Sequence, residues 1–213
     1  MSYLIDTSLP PLHRNWDIQD MVGADNLEEV QQKVVKYLNN PDVVNHGDNL
    51  YIYSVANGTG KTRVAYFLLY ELNKPRLGPQ GTVIIVPLAA VSFGEYLKFC
   101  KDSFSDHSKE ARRLVITAPI LLLDDVSPAF GTANLQSDRT ELLLLMKYRR
   151  EHLLLTIVTS NMTPEEFQNL YGATVSSKVL ENFSFIEVRG GDVRQAIYPD
   201  QFKTEDEDEE ACR

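Results

Sequence analysis

The stretch 54–62 has residue types and spacing suited to phosphate chemistry: it contains Gly58, Gly60, Lys61 and Thr62. Glycine lets the backbone turn tightly enough to point its N–H groups inward, toward phosphate oxygens. A lysine after the second glycine reaches the β- and γ-phosphates, and the next hydroxyl is a ligand for Mg²⁺. The sequence therefore predicts ATP and Mg²⁺ as cofactors of a loop formed by Val55, Ala56, Asn57, Gly58, Thr59, Gly60, Lys61 and Thr62.

This loop departs from the full phosphate-loop pattern at one position, because Val55 stands where a glycine is usual. Its context compensates for the departure. An apolar run at 50–55 predicts a strand that leads into the loop, and an amphipathic pattern at 61–73 predicts a helix that leads out. The positive end of that helix would add to the attraction for phosphate. The alternative is a glycine-rich turn that binds nothing.

Two carboxylates, Asp124 and Asp125, end the apolar run that starts at Ile120. Ligands of open α/β sheets bind at the carboxyl ends of the strands. We expect Asp124 to hold Mg²⁺ together with Thr62, and Asp125 to orient and polarise the attacking water. Because aspartate is shorter than the more usual glutamate, slow hydrolysis is expected.

A further polar side chain, Asn161, follows the predicted strand at 153–159. We expect it to lie beside the acidic pair, where it would position water or sense the γ-phosphate. Another predicted buried strand, at 81–88, separates the phosphate loop from the acidic strand in sequence. That order suggests the class of P-loop ATPases that has an additional strand in the sheet.

Apolar strands alternate with helical patterns along the chain, which predicts an α/β, three-layer P-loop NTPase with a five-stranded parallel sheet. A fifth strand is predicted at 183–188. The remaining helices are predicted at about 25–38, 90–101, 137–151, 164–171 and 175–181. One ATPase domain should cover 1–203, with an irregular lead-in at 1–24 and an acidic, disordered tail at 204–213.

Composition limits the function classes. The chain has 213 residues, of which 43% are hydrophobic and 24% charged, as in ordinary globular proteins. It has no apolar run of bilayer length and no signal-peptide pattern, and its two cysteines lack metal-ligand spacing, so a cytoplasmic protein with no membrane partner is expected. Acids fill positions 205–210 and supply most of the formal net charge of -9, which argues against tight non-specific binding to duplex DNA.

Two motifs carry a family resemblance. They are the acidic strand Leu121, Leu122, Leu123, Asp124, Asp125, and the segment 159–167, which reads Thr-Ser-Asn-Met-Thr-Pro-Glu-Glu-Phe. With the lead-in Pro10-Pro11-Leu12-His13-Arg14-Asn15, they resemble the AAA+ core of bacterial and phage replicative helicase loaders of the DnaC/DnaI type. The resemblance covers about 9–196. The chain is also similar to the IstB transposition ATPases, which share that core.

The resemblance implies an AAA+ type fold with a minimal C-terminal lid, and further site residues. It places Asn15 near the adenine and Arg194 at the γ-phosphate. The arginine that reaches a neighbouring subunit's nucleotide falls on Lys178, which keeps the charge but lacks the planar fork. The implied assembly is a side-by-side homo-oligomer of ATP-bound subunits. The full predicted catalytic set is Lys61, Asp124, Asp125, Asn161, Arg194 and Lys178.

The function implied is ATP-dependent loading of a replicative ring helicase onto single-stranded DNA, with ATP as an assembly switch and slow, partner- or DNA-stimulated hydrolysis. Two alternatives stay open: an IstB-like transposition helper, and a nucleotide-binding, helicase-interacting module with negligible turnover. A metabolic P-loop kinase is disfavoured, since no arginine-rich lid is evident. Candidate DNA contacts, for which solvated charge or core packing is the commoner explanation, are Lys98, Lys101, Arg112, Arg113, Phe93, Tyr96 and Phe99.

Overall fold

The computed structural model describes residues 24–40, 43–77, 82–102, 104–127, 135–172, 177, 180 and 182–192. The helices in these ranges are α1 (Leu27–Leu38), α2 (Val43–His46), α3 (Lys61–Leu72), α4 (Phe93–Lys101), α5 (Asp106–Thr117), α6 (Leu135–Glu151) and α7 (Pro164–Tyr171). The strands are β1 (Asn49–Tyr53), β2 (Arg76–Leu77), β3 (Val83–Ile84), β4 (Leu88–Ser92), β5 (Ile120–Asp124), β6 (Leu155–Ser160) and β7 (Phe183–Glu187).

Five of these strands form one parallel sheet in the order β4-β5-β6-β1-β7. The predicted α/β fold with a five-stranded parallel sheet is therefore confirmed. β6 lies between β1, which leads into the phosphate loop, and the acidic strand β5. This is the additional-strand order that the sequence suggested.

Helices cover both faces of the sheet, which makes the predicted three layers. On one face, Leu122 of β5 packs in a cluster with residues of α1 and α3. On the other face, its neighbours Leu121 and Leu123 pack with residues of α4, α5, α6 and α7. Because both faces are covered, β5 is buried along its apolar length, and this explains its unbroken run of leucines.

The predicted strand at 81–88 and helix at 90–101 are wrong in their bounds. The strand that joins the sheet is β4, whose Leu88 and Ser92 lie opposite Ile120 and Asp124 of β5. Val83 and Ile84 instead pair antiparallel with β2 in a short, exposed ribbon. Local β propensity is high in 82–86, but pairing with β5 decides which segment enters the sheet.

The helix α5 was not predicted. Ser105 caps its first turn through a hydrogen bond from the Ser108 backbone N–H. The helix has three buried residues, Ser108, Ala111 and Val115, and their side chains are small. They form only a weak apolar stripe in an otherwise polar sequence. Helical periodicity is hard to detect where the buried face is so narrow.

Helix α1 begins after Asn26, as expected, but the Asn26 side chain does not cap the helix. It joins the helix to the end of β7 instead. Its Nδ2 donates to the Glu187 carbonyl at 2.9 Å, and its Oδ1 accepts from the Arg189 backbone N–H at 2.9 Å. The Asp25 backbone N–H also donates to the Arg189 carbonyl, at 2.7 Å. The segment after β7 is thus held in place beside the start of α1.

Three predicted regions lie outside the described residues: the lead-in at 1–24 (apart from Ala24), the C-terminal lid and the acidic tail. The predicted domain limits therefore stay predictions. Among the helices that are described, none has the length and apolar character needed to cross a membrane.

Candidate nucleotide-binding site

The phosphate loop connects β1, which lies between β6 and β7 in the sheet, to α3. Gly58 and Gly60 have φ angles of 69° and 99°, in the left-handed region that favours glycine. Gly60 is also the N-cap residue immediately before α3, so the loop ends at a helix N-terminus. Backbone N–H groups and the helix dipole are therefore both available to an anion at this position.

The structure explains why the valine at position 55 is compatible with the loop. Val55 is 67% exposed, so its side chain is not packed against the rest of the protein. It also has no positive φ, unlike Gly58 and Gly60. A residue with a branched Cβ can adopt this conformation, and the absence of glycine leaves the turn intact.

Two polar side chains of the loop are buried. The Lys61 ammonium donates to the Ala56 carbonyl at 3.1 Å, across the loop. The Thr59 hydroxyl is buried and has no hydrogen-bond partner among the described residues. Lys61 has the position expected of a phosphate-binding lysine, at the first residue of α3.

A three-residue network joins the phosphate loop to the acidic strand. The Thr62 hydroxyl donates to Asp124 Oδ1 at 3.0 Å, and the Thr159 hydroxyl donates to the same oxygen at 2.5 Å. The three side chains come from α3, β5 and β6. The predicted juxtaposition of Thr62 with Asp124 is therefore present, and Thr159 is an additional member that the sequence did not single out.

Asp125 lies just past the end of β5 in an unusual backbone conformation, with φ of 54°. Its backbone N–H donates to Thr159 Oγ1 at 2.8 Å, which holds the turn against β6. The Asn161 amide donates to Asp125 Oδ1 at 3.4 Å, and Ser127 donates to the same oxygen at 3.4 Å. The predicted pair of Asp125 and Asn161 thus lies together at one edge of the sheet, and the Asp125 carboxylate is exposed to the solvent.

The oxygen ligands present suit a hard divalent cation such as Mg²⁺. A hydroxyl and a carboxylate lie in contact at Thr62 and Asp124, and neither residue is fully buried. Among the described residues, no group of three or more His, Cys, Asp or Glu could hold a metal ion. Mg²⁺ held here would therefore take its remaining ligands from water and phosphate oxygens, as is usual for this ion.

The negative charge of Asp124 affects the pKa of Tyr66, a neighbouring residue on α3. Burial, with a smaller contribution from Asp124, raises the pKa of Tyr66 to about 12. Tyr66 is therefore a neutral phenol at physiological pH. It lies on α3 near Asp124 and adds no negative charge to the site.

A second residue missed by the sequence reasoning is Asp192. A Cβ placed on Gly58 would lie 1.9 Å from Asp192 Oδ1, so this carboxylate lies directly against the phosphate loop. The sequence shows Asp192 only as part of a glycine-rich stretch after β7. No local pattern reveals that this stretch returns to the loop.

Three predicted site residues, Asn15, Lys178 and Arg194, lie outside the described residues. Their roles stay predictions.

The candidate DNA contacts of α4 and α5 are mostly engaged within the chain. Phe93, Tyr96 and Phe99 are buried in the core, so they do not stack on bases. Arg112 pairs with Glu141 at 3.0 Å, and Arg113 with Glu110 at 2.7 Å. Lys101 lies 3.6 Å from Asp138, and Lys98 is exposed. The commoner explanation, core packing, is confirmed for the aromatic residues.

The five-stranded parallel sheet with helices on both faces gives this chain the fold of the AAA+ P-loop NTPases. Neither a family model nor a curated protein sequence matches it.

The crystal structure of the DnaC helicase loader is 19% identical, with a TM-score of 0.64 over 84% of this chain and 100% of that one. The crystal structure of DnaI has 18% sequence identity to this chain and a TM-score of 0.64. The match covers 86% of this chain and 93% of DnaI. A replication initiator, DnaA bound to AMPPCP and single-stranded DNA, has 19% sequence identity to this chain and a TM-score of 0.59. The match covers 85% of this chain and 51% of that DnaA chain. The predicted likeness to loaders of the DnaC/DnaI type is confirmed at the level of the fold.

Proposed function

We propose that this chain is an ATP-dependent loader that places a replicative ring helicase on single-stranded DNA, with ATP acting as an assembly switch. The observation that carries the proposal is the contact of Thr62 and Asp124 within a loader-like fold. This contact joins the phosphate loop to the acidic strand, and it supports a site that would bind Mg²⁺-ATP and respond to its γ-phosphate.

The described residues divide the work at the site. Lys61 and the loop amides would bind the phosphates, and Thr62 and Asp124 would hold Mg²⁺, which neutralises phosphate charge when bound. Asp125 would orient the attacking water, with Asn161 fixing its carboxylate. Arg194 would sense the γ-phosphate, Lys178 would act on a neighbouring subunit, and Asn15 would contact the adenine side. These three roles rest on the resemblance alone.

A nucleotide switch requires different contacts in the ATP and ADP states. Asp125 and Asn161 lie next to each other just past the carboxyl ends of the neighbouring strands β5 and β6, beyond Asp124 at the end of β5. A γ-phosphate there would contact them and a β-phosphate would not. ATP would thereby favour a homo-oligomer that holds the helicase and single-stranded DNA.

Lys61→Ala tests the nucleotide site by removing the ammonium that neutralises phosphate charge. We expect calorimetry with Mg²⁺-ATP to show binding to the unaltered chain and none to the variant. Lys74→Ala is a matched control, because Lys74 is exposed and pairs with Glu71 at 2.6 Å just after α3. Equal ATP affinity of the Lys61→Ala and unaltered chains would contradict the proposal.

The loader role is tested by affinity capture with a non-hydrolysable ATP analogue, followed by phosphate release with and without single-stranded DNA and the captured protein. A ring helicase that is retained only with the analogue, and that stimulates turnover, supports a loader. A captured transposase supports the IstB-like alternative instead. A captured helicase without turnover under any condition supports the interaction module. Three departures from the family pattern favour that alternative: Val55, Asp125 and Lys178.

A further inference from the structure

Asp192 places a negative charge where the nucleotide's phosphates are expected. All three atoms of its carboxylate group lie close to the position of a Cβ on Gly58: Oδ1 at 1.9 Å, Cγ at 2.2 Å and Oδ2 at 2.6 Å. Gly58 therefore has two reasons to be glycine. One is its φ of 69°, and the other is the carboxylate packed against its Cα.

The chain that leads to Asp192 is fixed to the body of the protein. The Val188 backbone N–H donates to the Tyr53 carbonyl at 2.8 Å, which continues the β1–β7 pairing. Gly190 forms an antiparallel bridge with Ala24, beside the Asn26 contacts described above. The position of Asp192 against the loop therefore follows from the ordered end of β7.

The loop attracts phosphate through backbone N–H groups and Lys61, and a carboxylate has the same sign of charge as the phosphate. Two like charges a few ångströms apart repel strongly at the edge of a protein. The Asp192 carboxylate and a nucleotide phosphate would therefore repel each other at Gly58, and this repulsion would weaken the binding of the phosphate.

We propose that Asp192 sets the nucleotide affinity of this site by electrostatic competition: its carboxylate, held against Gly58, opposes the binding of phosphates to the loop. This inference rests on the proposed nucleotide site. It identifies Asp192 as a residue that lowers affinity for ATP and ADP alike, in contrast to Lys61, which raises it.

A direct contact with the nucleoside is the competing role for this carboxylate, since it could accept hydrogen bonds from ribose hydroxyls or from the base. The two roles predict opposite signs. Under competition, removal of the charge strengthens binding of every phosphate ligand, pyrophosphate included. Under nucleoside contact, removal weakens ATP and ADP and leaves pyrophosphate unchanged.

The test is calorimetric titration of the full chain and of Asp192→Asn with ATP, ADP and pyrophosphate, each at low and high salt. We expect the variant to bind all three about 3- to 30-fold more tightly, with a smaller gain at high salt. Asp106→Asn is the matched control, because it makes the same charge change at a side chain that is 97% exposed on α5. It should leave all three affinities unchanged.

Unchanged or weaker ATP binding by Asp192→Asn overturns the proposal, as does an equal gain in the Asp106→Asn control. Asp192→Ser is a second variant, which removes the charge with a smaller side chain. Failure of the unaltered chain to bind ATP, with Asp192→Asn equally inactive, would overturn the nucleotide site itself. ATP binding by the unaltered chain with no gain in either variant overturns only the competition.

Discussion

The two ends of the sheet both hold charged side chains, but the charge is buried at one end and open to solvent at the other. Beyond the amino end of β6, the Arg149 side chain is fully buried and donates to five oxygens at 2.6 to 3.2 Å. These acceptors are Thr156 Oγ1 and the carbonyls of Val115, Ile116, Ala118 and Leu155. Burial lowers the pKa of Arg149 to about 9, so it is still protonated at neutral pH.

At the carboxyl end, the charges of Asp124 and Asp125 are open to the solvent on one side and are held by few hydroxyl and amide donors. The charge of Arg149 is satisfied by hydrogen bonds within the chain, so it stabilises the fold. The carboxylates of Asp124 and Asp125 are partly open to solvent, so they can bind a ligand. We call the amino end of β6, with Arg149, the structural end of the sheet, and the carboxyl end, with Asp124 and Asp125, the chemical end.

The largest expected effect tests the structural end. Arg149→Met leaves the carbonyls that terminate α5 and begin β6 without their donor, and this should lower the free energy of unfolding by about 3 kcal/mol or more. Urea unfolding followed by circular dichroism measures it. Lys147→Met on the same helix is the control, since its side chain is 63% exposed, and it should change stability by about 0.5 kcal/mol at most.

Unfolding of Arg149→Met at the same urea concentration as the unaltered chain would contradict the stabilising role of this arginine. Unchanged affinity of the folded variant for ATP would show that the two ends of the sheet are energetically separate.

The sequence predicts the elements whose signal is local. The strand β5, with its unbroken leucines and terminal aspartates, and the glycine-rich loop are both visible as patterns. The sequence does not predict which β-prone segment enters the sheet, since β4 is chosen by its pairing with β5. Thr159 and Asp192 were missed for the same reason: each reaches the site from a distant part of the chain, and only the folded structure brings it there.

The next effect tests the chemical end. Asp125→Asn removes the carboxylate that would orient the attacking water, and it should lower kcat for ATP hydrolysis by about 10²-fold or more. Asparagine is preferred to alanine for this test because it tolerates the left-handed φ of 54° better. Phosphate release gives kcat, and calorimetry gives the affinity for ATP.

Affinity for ATP and stability to urea should both stay unchanged in Asp125→Asn. Loss of ATP binding together with turnover would contradict the role assigned to Asp125 and would place it among the binding residues instead.

The smallest effect concerns Glu29, which joins α1 to the segment that leads from β7 to Asp192. It pairs with Arg189 at 2.7 Å and with Lys33 at 2.8 Å. A hydrogen bond from Lys33 is the largest cause that lowers the pKa of Glu29 to about 2, with Asn26 and Arg189 contributing. Because the pKa is lower in the folded chain than its ordinary 4.5, this carboxylate stabilises the fold above that pH.

Glu29→Gln should therefore lower the Tm slightly at pH 7, and the difference from the unaltered chain should shrink as the pH falls from about 4.5 toward 2. The effect should be small and weaker in high salt, because the pair is exposed. Thermal unfolding at pH 7, 4.5 and 2.5 measures it. A difference that persists unchanged at pH 2.5 would show that packing, and not charge, holds α1 to the end of β7. In that case the position of Asp192 against the loop would not depend on the ion pair.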